Sequence, residues 1–159
     1  SEDPAGAPGY PRMIRTEKRL RLCAALIAVN LCFIWGNSLL PGEISGAISD
    51  AVKNLLRWCL SFLGLSQGGG GGGGLLRKIA HFTEFACLGG LFTWLFAMLR
   101  RPAVLALGCG FLAACVDETI QMFVPDRGPS VVDVGIDTAG VAVGILLLLL
   151  FQHIKHKRN

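Results

Sequence analysis

Apolar residues run through the chain in four long stretches, and the polar residues that interrupt them gather toward particular ends of those stretches. Crossing a hydrocarbon core about 30 Å thick takes roughly 20 helical residues. Residues 22–40, 75–99, 102–124 and 131–151 meet that requirement. Between the first and second the pattern changes. Across residues 44–65, Ile44, Ile48, Val52, Leu55, Leu56, Cys59, Phe62 and Leu63 recur at helical spacing, while Ser45, Ser49, Asp50, Lys53, Asn54 and Arg57 fall mostly between them. This predicts an amphipathic helix in the outer membrane interface, with a helix packed into the bundle as the competing arrangement. Pro41-Gly42 separates it from the first span.

Residues 68–74 are all glycine, and each glycine in a helix costs about 1 kcal/mol relative to alanine, so they read as a flexible linker. No Lys-Ser/Thr follows them, as a phosphate-cradling loop would need. Residues 1–12, rich in Pro, Gly and Ala and without periodicity, read as a disordered tail or an extraneous remnant. The predicted fold is all-α: a polytopic bundle of four transmembrane helices plus the interfacial helix, one membrane domain over residues 13–159.

Composition agrees. Of the 159 residues 52% are hydrophobic and 16% charged, with a mean hydropathy of +0.55, whereas soluble domains carry about 25% charged residues. The formal charge of +4 matters less than its placement. Basic residues crowd MIRTEKRLR at 13–21, Arg100-Arg101 and the tail HIKHKRN, which is the positive-inside bias of a cytoplasmic-membrane protein and not a nucleic-acid surface. The first span has no small-residue cleavage site and is expected to be retained. Both termini are then expected in the cytoplasm. The six cysteines show no C-x-x-C pairing and read as small apolar packing residues, with no disulfide or metal assigned to them.

Short connections at 100–102 and 125–130 make neighbouring spans antiparallel. The start of the second span, the end of the third and the start of the fourth therefore share one outer layer. Into it fall Lys78, His81, Glu84, Asp117, Glu118, Gln121, Arg127, Asp133 and Asp137. Lys78, His81 and Glu84 follow at i, i+3, i+6 and spread over about a third of the helix circumference. Gln121 stands i+3 from Glu118 and i+4 from Asp117, within reach of either. Asp117 lies roughly 12 Å below Pro125 along its helix. Asp133 and Asp137 are i, i+4 at a helix start, where the dipole favours carboxylates, and Gly140 and Gly144 continue nearly the same stripe, so a neighbouring helix can approach closely. Ser130 and Asp133 are both candidate helix caps.

Charge burial in a bilayer costs several kcal/mol, so such a cluster points to a site for a ligand, a proton or catalysis. His81, Glu84, Asp117, Glu118 and Gln121 are the catalytic candidates, with His81 handling a proton beside Glu84 or Glu118. Lys78 and Arg127 are suited to an anionic headgroup. Asp133 and Asp137 form the acidic floor. Metal: none is assigned from spacing, and no cofactor; His81, Glu118, Asp133 and Asp137 are an alternative set for a divalent cation.

At RKIAHFTEFACLGGL, residues 77–91, and DETIQMFVPDRGPSVVDVGIDTAG, residues 117–140, the chain resembles the VanZ-like family of bacterial membrane proteins. Matching positions are Lys78, His81, Glu118, Gln121, Pro125, Arg127, Asp133 and Gly140, in a stretch covering about half the chain. Phe85 stands where the family often has Tyr, Asp126 where Gly often precedes the Arg, and Asp137 where Asn is frequent. The resemblance implies an association with low-level resistance to the lipoglycopeptide teicoplanin, without an accepted reaction.

Three functions stay open. The first is recognition or modification of a lipid-linked or amphiphilic cell-envelope molecule at the outer leaflet, by a hydrolase or transferase if chemistry is involved, although no Ser or Cys stands in a nucleophile elbow. Its partners are membrane lipids and a lipid-linked cell-wall precursor or glycopeptide. The second is non-enzymatic sequestration or masking of the antibiotic or its target. The third is proton-coupled transport through adjacent acids sharing a proton, against which stands the lack of an inverted repeat.

Overall fold

The structure is a computed structural model that describes residues 10–62, 73–125 and 127–158. Five helices follow one another: α1 (Tyr10–Ser38), α2 (Gly42–Phe62), α3 (Gly73–Met98), α4 (Val104–Gln121) and α5 (Val131–Arg158). Four are long and apolar enough to cross a membrane, over Thr16–Ser38, Leu76–Met98, Val104–Gln121 and Val131–Arg158. All-helical across its described residues, the chain is a multi-pass membrane protein, and α2, the most amphipathic of the five, is the extra helix between the first two spans.

Lipid is as apolar as leucine, so helices in a bilayer gain little by burying apolar side chains and associate through close backbone contact. That contact is closest between α3 and α5. Gly140 lies against the backbone of Phe82 and Gly144 against that of Ala86, while Gly89 of α3 meets the backbone of Val141. A Cβ at any of these three positions would collide with main chain. Gly110 of α4 meets the Val141 side chain, which brings the third helix onto the same seam. Around it Phe85, Leu88, Ala106, Ala114 and Val141 are fully buried, and α1 adds Cys23 and Ile34. Leu112, Leu146, Leu147, Leu150 and Phe151 point outward and are exposed, as lipid-facing positions are. α2 packs mainly on α3 and keeps Ile44, Ile48, Val52 and Leu55 exposed along one stripe.

The helix ends carry their own chemistry. α3 closes in a Schellman motif, with Arg100 left-handed (φ 55°), Arg101 N–H donating to Phe96 at 2.8 Å and Arg100 N–H to Ala97 at 3.2 Å. α4 tightens into i→i+3 turns through Val124, ahead of Pro125. Of the two candidate caps for α5 it is Ser130 whose Oγ accepts the Asp133 N–H, at 3.2 Å. Gly42 N–H donates to Pro125 O at 3.4 Å, tying the α1–α2 junction to the α4–α5 loop.

Several boundaries differ from the sequence expectation. α1 starts at Tyr10, inside the segment read as a tail, and α5 continues to Arg158. Its last turn is basic, which suits the negative end of the dipole. α3 takes in Gly73 and Gly74, the last two glycines of the run, ahead of its apolar stretch. The rest of the expected linker, residues 68–72, and residues 1–9 of the expected tail lie outside the described residues.

Candidate functional site

The polar residues meet at the end of the bundle where α1 and α4 finish and α3 and α5 begin. The fan of side chains on α3 organises them. Steps of three residues turn about 60° back around a helix, so Lys78, His81 and Glu84 face different neighbours. Lys78 reaches α5, where its Nζ lies 2.8 Å from Asp133 Oδ1. Glu84 reaches α1, where Asn37 Nδ2 donates to its Oε1 at 3.2 Å. His81, between them, places Nδ1 3.8 Å from Oδ2 of the fully buried Asp117 on α4.

On α4 the adjacent acids diverge. Asp117 points toward α1 and α3, and Gln121, one turn on, donates Nε2 to Asp117 Oδ2 at 2.9 Å and to Ser38 Oγ at 3.3 Å. Glu118 turns to the α4–α5 loop and accepts the Ser130 N–H at 2.7 Å. Arg127 folds back from that loop onto the end of α1, its Nη1 donating to Ser38 O at 3.3 Å while its buried Nε has no hydrogen-bond partner. Burial first, and then the positive charge of Arg77, push the Arg127 guanidinium below its ordinary value; Asp117 and Glu118 act in the opposite sense. Asp137, one turn above Asp133 on α5, is only 2% exposed.

These residues line two adjoining compartments. A small polar one, about 10 Å³, is walled by Lys78, His81, Glu118, Gln121, Asp133 and Asp137. A larger one, about 210 Å³, opens among α1, α2 and α3, with the polar residues Asn37, Glu84, Arg77 and Arg127 and the apolar residues Leu40, Ile48, Val52 and Leu76 in its lining. Arg77 and His81 border both.

All nine residues singled out in the sequence fall at this end of the bundle. One pairing differs from expectation: the carboxylate within ion-pair distance of His81 is Asp117, not Glu84 or Glu118, because the fan aims Glu84 at α1 and the loop captures Glu118. Lys78, expected at a headgroup, is engaged by Asp133. Three contributors were not singled out: Asn37, Ser38 and Arg77. The first two are a polar pair in the last turn of the first span, a position that the antiparallel topology already assigns to the same layer. Arg77 reads in sequence as an interfacial anchor beside Lys78.

The model of the VanZ/LLP1 family matches residues 21–152. The chain belongs to the VanZ/LLP1 family. The matched region runs from within α1 to within α5 and so contains the whole polar layer of this VanZ/LLP1 protein. No curated protein and no solved structure matches it significantly.

Proposed function

We propose that this VanZ/LLP1 protein sits in the bacterial cytoplasmic membrane with both termini inside. Its polar end faces the outer leaflet, where it recognises or modifies a lipid-linked or amphiphilic cell-envelope molecule, contributing to glycopeptide (teicoplanin) resistance. One observation carries the reading: the larger compartment pairs two guanidinium groups with an apolar wall. Arg77 and Arg127 line it together with Ile48 and Val52 of the amphipathic α2. An amphiphile with an anionic headgroup matches both halves, since guanidinium forks bind phosphate or carboxylate through paired hydrogen bonds. In this reading Arg127 and Arg77 hold the headgroup. The Lys78–Asp133 pair borders the small compartment, and His81 stands where the two compartments meet, placed to exchange a proton with bound material while Asp117 orients its ring.

The test uses the purified chain in phosphatidylcholine nanodiscs, titrated with a polyprenyl phosphate and with the uncharged polyprenol. Arg127→Gln is expected to weaken phosphate binding about tenfold or more, as a hydrogen bond to a charged group contributes roughly 1.5–3 kcal/mol. The polyprenol should bind equally to both proteins. Equal phosphate binding by wild type and Arg127→Gln sinks the reading. His81→Ala then separates chemistry from binding. Loss of resistance and of turnover with binding retained indicates catalysis, and retained resistance indicates a binding role.

A further inference from the structure

We propose that His81, Asp117 and Asp137 form a binding site for one divalent transition-metal ion of the manganese, iron or zinc class, buried where α3, α4 and α5 meet. The three residues each offer a ligand atom, one imidazole nitrogen and two carboxylate oxygens, and these atoms all lie within 4.8 Å of one another. Ligands about 2.1 Å from a shared ion stand at most roughly 4.2 Å apart, so small side-chain rotations close the set. A mixed nitrogen and oxygen set suits these metals, whereas magnesium and calcium prefer oxygen alone.

Two further observations point to a ligand there. Asp137 is 2% exposed, and one of its carboxylate oxygens lies within 4.8 Å of the ligand atoms of His81 and Asp117. Asp117 is fully buried, and its Oδ1 has no hydrogen-bond partner. A buried carboxylate oxygen is otherwise hydrogen-bonded or paired, because leaving it without a partner inside protein or lipid is costly. A divalent cation would take the place of the protons that otherwise neutralise two buried carboxyl groups. The surroundings fit as well. Gln121 Nε2 holds Asp117 Oδ2 at 2.9 Å, the outer hydrogen bond that orients a ligating carboxylate. The adjoining compartment of about 10 Å³, lined by His81 and Asp137, has room for one water-sized ligand to complete the coordination.

The site shares His81 and Asp117 with the proton role proposed above but none of the headgroup-binding residues. Its test is run on the full chain in lipid-free detergent, so failure of amphiphile recognition leaves it untouched. The protein is stripped with a chelator, then titrated with Mn²⁺ and Zn²⁺ alone and assayed by calorimetry and bound-metal analysis. One equivalent per chain is expected. Asp137→Asn should weaken binding at least a hundredfold, and Gln121→Leu by roughly 10- to 100-fold as an orienting residue. His153→Ala with His156→Ala, which removes the exposed histidines of the tail, should leave the equivalent intact. Unchanged binding in Asp137→Asn, or its loss in the tail variant, overturns the site. Should Asp137→Asn fail to fold, pulsed electron paramagnetic resonance of Mn²⁺ on the tail variant decides instead. Coupling to a single imidazole nitrogen is expected, and its absence overturns the proposal.

Discussion

Gln121 joins two helices with one amide nitrogen: it donates to Asp117 one turn back on its own helix and to Ser38 on α1, beneath the Arg127 that caps that helix end. It is 5% exposed, and Asp117 is fully buried, so neither turns to water when the contact is lost. Gln121→Leu, close in volume, leaves a buried carboxylate oxygen without its donor and should cost about 1–3 kcal/mol, read as a lowered midpoint of thermal unfolding in detergent. The Lys78–Asp133 pair behaves differently despite its short 2.8 Å separation. Its side chains are 42% and 23% exposed, and exposed pairs contribute roughly 0–1 kcal/mol. Lys78→Met should therefore shift the same midpoint much less than Gln121→Leu, and a larger shift would show that the pair is shielded by its surroundings. Burial separates the two cases.

Helix packing turns on which glycines touch a neighbour. Gly144 lies against the Ala86 backbone, whereas Gly108 of α4 has nothing within 4 Å of an added Cβ. Gly144→Val forces α3 and α5 apart and, by the usual cost of overpacking, should destabilise the bundle by about 1–3 kcal/mol or prevent its assembly. Gly108→Ala should stabilise by up to about 1 kcal/mol, since alanine is the better helix former and meets no obstacle. Thermal unfolding of the two variants side by side checks both signs. The end of α3 offers a third case. Arg100 holds a left-handed conformation that costs a residue with a Cβ roughly 1–2 kcal/mol, so Arg100→Gly should raise the unfolding midpoint.

At the scale of the whole molecule, the arrangement of the ends decides where the site faces. The α1–α2 junction and the α4–α5 loop are joined by the Gly42–Pro125 hydrogen bond, and the Arg100-Arg101 turn lies at the opposite end of α3 and α4. With the basic turn inside, a reporter active only in the cytoplasm should work when fused after Asn159 or inserted at Arg101 and fail when inserted at Gly128. The reverse pattern would turn the polar end toward the cytoplasm and remove the outer-leaflet assignment.

Much of this molecule is written along the chain. Four apolar runs and one amphipathic run define the helices, since length and periodicity are local properties. The short connections align the polar residues in one layer, because antiparallel neighbours must share ends. Gly140 and Gly144 announce a close approach at i, i+4 without naming the helix that makes it. Partners are another matter. The tertiary structure alone gives Gly144 to α3, His81 to Asp117, Glu118 to the Ser130 amide and Arg127 to the end of α1, and it pairs Asn37 with Glu84 and Ser38 with Gln121. It also divides the polar end into two compartments. The physical reason is rotational: spacing along a helix fixes the angles between its side chains, but which neighbour each one meets depends on how the packed seam of glycines sets every helix about its axis.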